Sequence, residues 1–465
     1  LPSSSPADDA EVVTKSCRFD GAETLNRTLS GASSTTTTFT IAFWLKRASG
    51  FGDRQIIFMS SNGPGNDFFM GEIDANNKLN ISIGDGTSVI CDLLSPGLLR
   101  DPAAWYHICV VVATAESVAA DRIKLYVNGT QETLTGTALG TQSYVPEWNA
   151  AVYDQYIGGW SGGTLYNEGY LADFYSIDGT AVTPMDNFIE TDGTTGQLKP
   201  KAYTTSLGTE GFHLDFKDGA ATSGSNAGLG KDVSGNGNYF DTTNLVASDQ
   251  MNDRPTNNYA VLNPLVQNNG TLSEGNLKLV NTTSPPAVAP SSIGMRGGDG
   301  KYLAEFRWAS SANWPVGIND GGTETYAGIE GISFWGNDGQ VYNAGSNTQS
   351  GLHTFSSGDI VGVAVDLSDS TRSVQFYVNG VSKGSAETIP PAWDSVHFSC
   401  GNYLSGLTFS VNFGADPAFQ GQHSTSEAEF AYPVTGYSAL STANLPTPTI
   451  AKGHEYFNTL LYDDG

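Results

Sequence analysis

One hairpin signature occurs twice in the sequence and limits the possible folds more than any other feature. Residues 124–129 read KLYVNG, and residues 375–380 read QFYVNG. Each copy joins a strand-like run to Asn-Gly, the dipeptide that supplies the two positive-φ residues of a tight hairpin turn. An apolar run lies shortly upstream of each copy, at 106–112 and 361–367. The repetition predicts two antiparallel β-sandwiches, each with a long hairpin after a central strand.

The remaining sequence is also typical of an all-β chain. Short strand-like runs recur about every 8 to 12 residues and are separated by turn dipeptides, as in a sandwich. Residues 39–45 (FTIAFWL) and 78–83 (KLNISI) are examples, and no ten-residue window has the 3.6-residue period of an amphipathic helix. Aromatic residues, which favour pleated and half-buried surfaces, make up 11% of the chain. The predicted fold class is therefore all-β.

The charge balance excludes several classes of partner. The chain has 22 Lys and Arg against 48 Asp and Glu, which gives a net charge of −26, and it contains no basic run. Such a surface repels phosphate, so we expect neither nucleic acid nor an anionic membrane as a partner. The longest apolar stretch, 105–115, is far shorter than the roughly 18 residues of a membrane span, so we expect no membrane insertion. Glycans, cations and basic protein surfaces remain as partners.

Turn density divides the chain into segments. We predict an N-terminal arm (1–16), a first sandwich (17–203), a turn-rich bridge (204–290), a second sandwich (291–418) and a C-terminal extension (419–465). The bridge is interpreted either as a connector or as extra strands that join a neighbouring sandwich. The extension ends in a strand-like run, 456–462, whose exposed edge predicts pairing with a following module or with another chain.

Several motifs carry a resemblance to known families. The first sandwich resembles a laminin-G-like, concanavalin-A-type jelly roll in the motifs FTIAFWL (39–45), WYH (105–107), the first YVNG and GYLAD (169–173). The second resembles a SPRY domain in GDIVGVAVD (358–366), the second YVNG and FSVNFG (409–414). The order of these two domains, followed by ANLPTPTI (443–450), is similar to fibre or adhesin proteins of tailed bacteriophages, especially marine ones.

The resemblance implies a non-enzymatic virion protein, a tail or head fibre or adhesin that attaches the particle to a host-surface glycan or protein receptor. It implies a location on the exterior of the virion, contacts with other virion proteins and several copies per particle, so a homo-oligomer is expected. A fold alone does not define a function, and three alternatives remain. They are a purely architectural capsid or tail decoration protein, a polysaccharide depolymerase on the same jelly-roll fold, and a secreted bacterial surface lectin.

Glu72 and Asp74, in the motif GEIDANN, are the strongest indication of an enzyme. Glucanases of this fold place their carboxylates on one face of a strand, as E-x-D-x-E or E-x-D-x-x-E. Positions 76 and 77 are both asparagine here, and asparagine cannot protonate a leaving oxygen. We therefore interpret the two carboxylates as a strand end and a turn, and we expect no enzymatic activity.

The sequence also favours a protein without a cofactor. The six histidines are scattered, and the cysteines have no metal-binding spacing and are expected to be buried thiols: Cys17, Cys91, Cys109 and Cys400. One pattern, Asp232-x-Ser234-x-Asn236-x-Asn238, places oxygen atoms at alternate positions as a calcium loop does, but it lacks the bidentate glutamate. We favour an Asx-rich turn there, with Ca²⁺ near Asp232 as the alternative.

Aromatic side chains in polar or glycine-rich surroundings are the candidate binding residues. Trp160 and Tyr166 lie in the glycine-rich run 158–169, and the second sandwich has Trp314, Trp335 and Tyr342 in comparable surroundings. Sugar rings stack on such faces through their C–H surfaces. The alternative for each residue is that it caps the core of its sandwich, since aromatic rings dominate core packing. As a set they predict a glycan-binding surface formed by loops.

Overall fold

The computed structural model describes residues 12–29, 31, 33, 35–63, 67–160, 162–193, 195–267, 269–281, 287–308, 315–322, 331–368, 370–402, 408–416, 419 and 429–446. Within these ranges the regular structure is β-strand, with no α-helix and with short 3₁₀ turns at Ala119–Asp121, Glu147–Asn149, Gly228–Gly230, Ala247–Asp249 and Thr442–Asn444. None of the described segments forms a helix with the length and apolar character needed to cross a membrane. The prediction of an all-β chain with two antiparallel sandwiches is confirmed.

The first sandwich is built from the strands up to residue 251. They are β1 (Ser16–Asp20), β2 (Thr24–Thr28), β3 (Thr38–Arg47), β4 (Gln55–Ser61), β5 (Asp67–Ile73), β6 (Leu79–Asp85), β7 (Val89–Leu94), β8 (Trp105–Ala113), β9 (Ile123–Val127), β10 (Thr130–Gln131), β11 (Thr135–Thr137), β12 (Asp154–Ile157), β13 (Glu168–Asp178), β14 (Ile189–Thr191), β15 (Leu198–Pro200), β16 (Phe212–Leu214), β17 (Asp241–Thr243) and β18 (Gln250–Met251). One sheet has the order β10-β9-β8-β3-β13-β1-β18, with β16 on β13. The other has the order β11-β7-β6-β5-β4-β12-β2-β17, and β14 pairs with β15 separately.

Alternating apolar residues of these two sheets meet in an aromatic core. Phe39 of one sheet contacts Phe69 of the other edge to face, with ring centroids 5.3 Å apart. Phe58 makes an edge contact with the fully buried Trp148, at 5.5 Å. Such edge-on pairs are favourable beyond the area they bury, because the positive ring edge meets the negative ring face. The apolar residues at every second position of these strands therefore form this core.

The second sandwich follows the same layer plan with a different strand order. Its strands are β19 (Gly270–Ser273), β20 (Lys278–Asn281), β21 (Ala287–Pro290), β22 (Lys301–Trp308), β23 (Pro315–Asn319), β24 (Ile332–Trp335), β25 (Gln340–Asn343), β26 (Ser346–Gln349), β27 (Ile360–Asp366), β28 (Ser373–Val378), β29 (Val381–Thr388), β30 (His397–Asn402), β31 (Thr408–Asn412) and β32 (Ser438–Ala439). One sheet has the order β19-β20-β31-β22-β27-β28-β29, with β32 on β22. The other has the order β21-β30-β23-β24-β25-β26.

The two Asn-Gly sequences form equivalent hairpin turns, as predicted. Asn128 and Gly129 have φ values of 49° and 81°, and Asn379 and Gly380 have 49° and 78°. Each asparagine also bonds to the neighbouring upstream strand. Asn128 exchanges two hydrogen bonds with the backbone of His107, both 2.8 Å long. Asn379 does the same with Ile360, at 2.9 and 3.0 Å. The repeated sequence therefore has one structural role in both sandwiches.

The predicted bridge, 204–290, contributes strands to both sandwiches. Strands β16, β17 and β18 pair with β13, β2 and β1 of the first sandwich, while β19 and β20 extend a sheet of the second. This is the second of the two interpretations that the sequence left open. The exact boundaries at 203 and 290 stay predictions. Residues 429–446, within the predicted C-terminal extension, pack on the second sandwich through Phe430 and Ala439. The strand-like run 456–462 and the N-terminal residues 1–11 lie outside the described residues.

Buried side chains join the two sandwiches. Ala48, Tyr170 and Met251 of the first sandwich belong to the same apolar cluster as the core of the second. The charged side chains of Lys46 and Arg18 are buried beside this cluster. Lys46 Nζ lies 2.5 Å from Asp253 Oδ2, with the two side chains 0% and 2% exposed. Arg18 Nη2 lies 2.7 Å from both Asp249 and Glu274. The contact between the sandwiches is therefore a packed and charged interface.

Candidate functional site

A second apolar cluster lies on the outer face of a sheet in the first sandwich. Phe58 and Phe69 point into the core, so alternation directs their neighbours to the opposite face. There the side chains of Ile56, Met59, Phe68 and Met70 form a separate cluster, which we call the outer-face cluster. Trp160 and Leu165, both half-buried, pack against it. Strands β4 and β5 have apolar residues at both odd and even positions, which is typical of a sheet covered on both faces. This pattern could have predicted the outer-face cluster from the sequence, but the prediction was not made.

Glycines hold Trp160 in place over this cluster. A Cβ atom on Gly162 would lie 2.5 Å from Trp160 Cζ2, and one on Gly163 would lie 2.9 Å from Trp160 Cε3. The loop can therefore close on the indole only if these positions have no side chain. Gly158 has a φ of +86°, which also favours glycine. Trp160 thus packs on the outer face rather than in the sandwich core, and part of its ring stays accessible.

Tyr166 lies beside a cleft on the same loop. Its ring packs so closely on Gly159 that a Cβ atom there would lie 2.3 Å from Tyr166 Cδ1. The cleft, of about 450 Å³, is lined by Gly21, Gly52, Asp53, Arg54, Gln55, Ala75, Thr164, Leu165, Tyr166 and Glu168. It combines an aromatic ring with amide and charged groups at its rim. Trp160 and Tyr166 therefore belong to one surface, the Trp160 surface, made of the outer-face cluster, this loop and the cleft.

Trp335 and Tyr342 lie together in the second sandwich, but on strands rather than loops. Trp335 ends β24 and Tyr342 lies in β25, with ring centroids 5.4 Å apart. Ile332, Phe334 and Val341 point into the core, so alternation places the two rings on the outer face. The indole N–H of Trp335 donates to Ser333 Oγ at 3.0 Å. The expectation of loop positions was wrong for this pair because the strands extend further than their polar neighbours indicated. Trp314 lies outside the described residues.

Glu72 and Asp74 occupy the places expected of a strand end and a turn. Arg54 holds the Glu72 carboxylate in a bidentate ion pair with distances of 2.8 to 3.2 Å. Burial raises the pKa of Glu72, while the Arg54 guanidinium opposes that rise. Asp74 Oδ1 accepts the backbone N–H groups of Asn76 and Lys78, both at 2.8 Å. Both carboxylates therefore already have hydrogen-bonding partners within the protein.

The polar side chains of the Asp232 loop form hydrogen bonds with other groups of the protein. The Asp232 carboxylate accepts four hydrogen bonds, from the backbone N–H groups of His213, Ser234 and Asn238 and from Ser234 Oγ. Asn236 and Asn238 donate to main-chain carbonyls of 208–211. Such bonds are typical of an Asx-rich turn. Within the described ranges, no group of three or more His, Cys, Asp or Glu side chains is arranged to hold a metal ion.

The four cysteines, His107 and His213 contribute to packing inside the protein. All four cysteines are buried and unpaired, as expected, and burial raises the pKa of the Cys109 thiol. His107 is 1% exposed and lies edge-on to Trp44 at 5.2 Å. Burial lowers its pKa to about 3, so the ring is neutral. His213 bonds to Asp173 at 2.7 Å and stacks on Tyr175 at 3.9 Å.

Taken together, the fold and this surface define a two-domain β-sandwich protein with an aromatic outer face. Residues 20–183 match the family model described as the concanavalin A-like lectin/glucanases superfamily. Residues 305–416 match the model of the SPRY domain. The chain thus contains one domain of each kind, and the resemblance of the two sandwiches to these domains is confirmed. No curated protein matches the chain.

Solved structures resemble the chain at low identity. The SPRY domain of human HERC1 is 15% identical, and the match covers 32% of this chain and 96% of that one, with a TM-score of 0.28. A heptameric SAP-like pentraxin from Limulus polyphemus is 18% identical over 38% of this chain and 81% of that one, with a TM-score of 0.28. Domains LG4-5 of the mouse laminin alpha1 chain are 11% identical over 92% and 90%, with a TM-score of 0.30. Similarity at this level carries no functional information.

Proposed function

We propose that this protein is a non-enzymatic adhesin of a bacteriophage virion, a tail or head fibre component that binds a neutral glycan on the host surface. The observation that carries the binding part is the Trp160 surface, where glycines hold a half-buried indole over an apolar cluster beside a polar cleft. The concanavalin A-like and SPRY domains support a binding role for glycan or protein. The virion part rests on the order of the sequence motifs.

The chemistry of the Trp160 surface fits a sugar. An indole face accepts the apolar C–H side of a pyranose, and the neighbouring cleft adds polar groups that orient hydroxyls. The net charge of −26 disfavours sulfated or phosphorylated polymers. The bidentate Arg54–Glu72 pair engages the carboxylate that a depolymerase would need to be free. These points favour binding without cleavage.

Several weak sites on one particle are enough for attachment. Linking modest sites raises the overall strength by roughly 10²- to 10⁴-fold without any new contact. We therefore expect a homo-oligomer, or many copies on one virion, with weak binding per site. Immunogold labelling of purified phage particles tests the location, and labelling confined to the bacterial cell surface would contradict it.

Adsorption to the host bacterium tests the binding surface. We expect Trp160→Ala to reduce the adsorption of the purified chain at least about tenfold, because truncating a central aromatic anchor usually costs about 2 kcal/mol or more of binding energy. Trp160→Phe should keep part of the binding. Tyr432→Ala removes an aromatic ring that is 40% exposed in the second sandwich and should change nothing.

A packing control separates binding from stability. Met59→Ala removes a side chain of the outer-face cluster without removing the indole. If adsorption falls as much in Met59→Ala as in Trp160→Ala, and follows the folded fraction of each variant, Trp160 is a structural cap. That result would overturn the proposed site.

A further inference from the structure

A cleft of about 490 Å³ lies where the two sandwiches meet. One wall belongs to the first sandwich and consists of Asp20, Ser49, Gly50, Phe51, Asp53 and Glu168. The other wall belongs to the second sandwich and consists of Pro264, Gln267 and the whole of β19, Gly270–Ser273. We call this the edge cleft. It adjoins the cleft beside Tyr166, with which it shares Asp53 and Glu168.

Strand β19 faces this cleft with its edge. It is the terminal strand of its sheet and pairs on one side only, with β20. Successive side chains of a strand point to opposite faces, so a cleft that touches every residue of β19 lies along the strand rather than against one face. Leu272 illustrates this, because its side chain belongs to the core although the residue lines the cleft. The cleft therefore follows the unpaired edge of β19.

The backbone groups of this edge are open to a further strand. Within the described residues, Thr271, Leu272 and Ser273 have no backbone-to-backbone hydrogen bond outside the β19–β20 pair. The Gly270 N–H donates to the side chain of Gln267 at 3.3 Å. Proteins commonly protect a strand edge with charged residues or proline, and the sequence GTLS of β19 contains neither. The edge can therefore accept one more extended segment.

Two contacts hold the walls of the edge cleft together. Asp20 Oδ1 accepts the backbone N–H of Glu274 at 2.8 Å, at the turn that follows β19. Arg18 Nη2, in a side chain that is 3% exposed, lies 2.7 Å from Glu274 Oε2. The cleft is thus formed before a partner binds, which reduces the ordering cost of binding. Its volume lies within the roughly 300–1,000 Å³ that is usual for ligand sites.

The wall opposite β19 is acidic. It contributes the carboxylates of Asp20, Asp53 and Glu168, and no lysine, arginine or histidine lines the cleft. Asp53 is exposed and the other two residues are half-buried, so a bound segment can reach them. Cationic side chains are favoured in such surroundings and anionic ones are repelled. The charges of the cleft therefore select a basic partner.

We propose that the edge cleft binds an extended, lysine- or arginine-rich segment of another protein, which adds a strand to β19. In this mode of recognition, main-chain hydrogen bonds supply affinity and side-chain contacts supply specificity. This chain is a poor source of such a segment, because it has 48 acidic against 22 basic residues and no basic run. A second copy would bring the same carboxylates to the cleft. The proposal does not depend on glycan binding at the Trp160 surface.

Binding of a synthetic peptide to the intact chain tests this surface. The probe is an amidated, fluorescently labelled octapeptide of alternating lysine and valine, and fluorescence anisotropy at low salt measures its binding. We expect saturable binding with a dissociation constant below about 1 mM, and weaker binding as salt is added. The same peptide with glutamate in place of lysine should not bind. N-methylation of the four central amides removes strand donors and should weaken binding at least about tenfold.

Variants of the chain test the acidic wall. Asp53→Asn and Asp20→Asn each remove one charge, and asparagine at position 20 can still accept the Glu274 N–H. Each should weaken binding of the lysine peptide about twofold to fivefold. Glu116→Gln removes the same charge at an exposed position that lines neither cleft, and it should change nothing. Trp160→Ala should also leave peptide binding unchanged, so failure of this surface and failure of the adhesin surface can be distinguished.

Several results would overturn the proposal. They are the absence of saturable binding of the lysine peptide, equal binding of the lysine and glutamate peptides, full binding of the N-methylated peptide, and unchanged binding in the Asp20→Asn/Asp53→Asn double variant. Two other occupants would also overturn it. Tighter binding of a peptide with the sequence of residues 452–464 would assign the edge to this chain's own C-terminal segment. Dimers in sedimentation velocity that the lysine peptide does not dissociate would assign it to a second copy.

Discussion

We expect the buried Lys46 ammonium, which bonds to Asp253 and to residues 258–259 leading into the second sandwich, to couple the unfolding of the two sandwiches, and Lys46→Met tests this. Methionine keeps the length and most of the volume of the side chain but removes the ammonium group. In the variant, Trp105 Nε1 remains as a close donor to the buried Asp253 carboxylate. Asn258 Oδ1 and the Tyr259 carbonyl lose the hydrogen bonds that they accept from Lys46 Nζ. Removing one partner of a buried ion pair costs about 3–5 kcal/mol, because an uncompensated charge stays buried.

The expected loss of unfolding free energy can be measured by urea unfolding, followed in parallel by tryptophan fluorescence and far-ultraviolet circular dichroism. The wild type should unfold in one transition with both probes. Lys46→Met should split that transition, because the first sandwich loses its bonds to Asn258 and Tyr259. Asp253→Asn in the same chain should restore part of the loss, since the unpaired charge is then gone.

An exposed ion pair is the matched control. Lys301 Nζ lies 2.7 Å from Asp366, but the lysine side chain is 41% exposed. Lys301→Met should therefore cost only about 0–1 kcal/mol. A cost for Lys46→Met as small as this, or a single unchanged transition, would refute the view that buried Lys46 couples the two sandwiches.

Three further changes have defined outcomes. Burial raises the pKa of Glu147, which is 2% exposed, from 4.5 to about 7, so folding takes up a proton there. As pH falls from about 7 towards 4.5, this group should add up to about 3 kcal/mol to the free energy of unfolding. In urea titrations the rise should be smaller in Glu147→Gln by that amount, and an equal rise in both proteins would contradict this. Asn379→Ala should cost about 1–2 kcal/mol in thermal unfolding, because alanine must adopt a φ of 49° and the Ile360 N–H loses its acceptor; an unchanged midpoint would contradict this. Glu72→Gln and Asp74→Asn should leave reducing-sugar release from host polysaccharide at the background of the wild type; release that disappears in either variant would show an enzyme.

Local chemistry explains why the hairpins and the fold class could be predicted. Asn-Gly at 128–129 and 379–380 needs no distant partner to favour a positive-φ turn, and alternation needs only the residues of one strand. The turn at Asp232 was predictable for the same reason, because its carboxylate bonds mostly to residues up to six positions further along.

Long-range contacts explain what the sequence did not reveal. Lys46 meets Asp253 across 207 positions, and nothing around either residue indicates the other. The outer-face cluster was hidden because Met59 and Met70 come together only through the pairing of β4 with β5. Trp335 and Tyr342 were expected in loops because polar neighbours surround them, although those neighbours share the outer face of a sheet.

Binding of the intact chain to a glycan microarray tests the central claim most directly. The chain is displayed in many copies on fluorescent beads, so that weak sites give a signal, and the array carries neutral and anionic bacterial surface glycans. We predict binding to neutral glycans, its loss in Trp160→Ala, and thermal midpoints that differ little between the two proteins. Binding that is confined to sulfated or phosphorylated glycans, or that is equal in wild type and Trp160→Ala, would contradict the account.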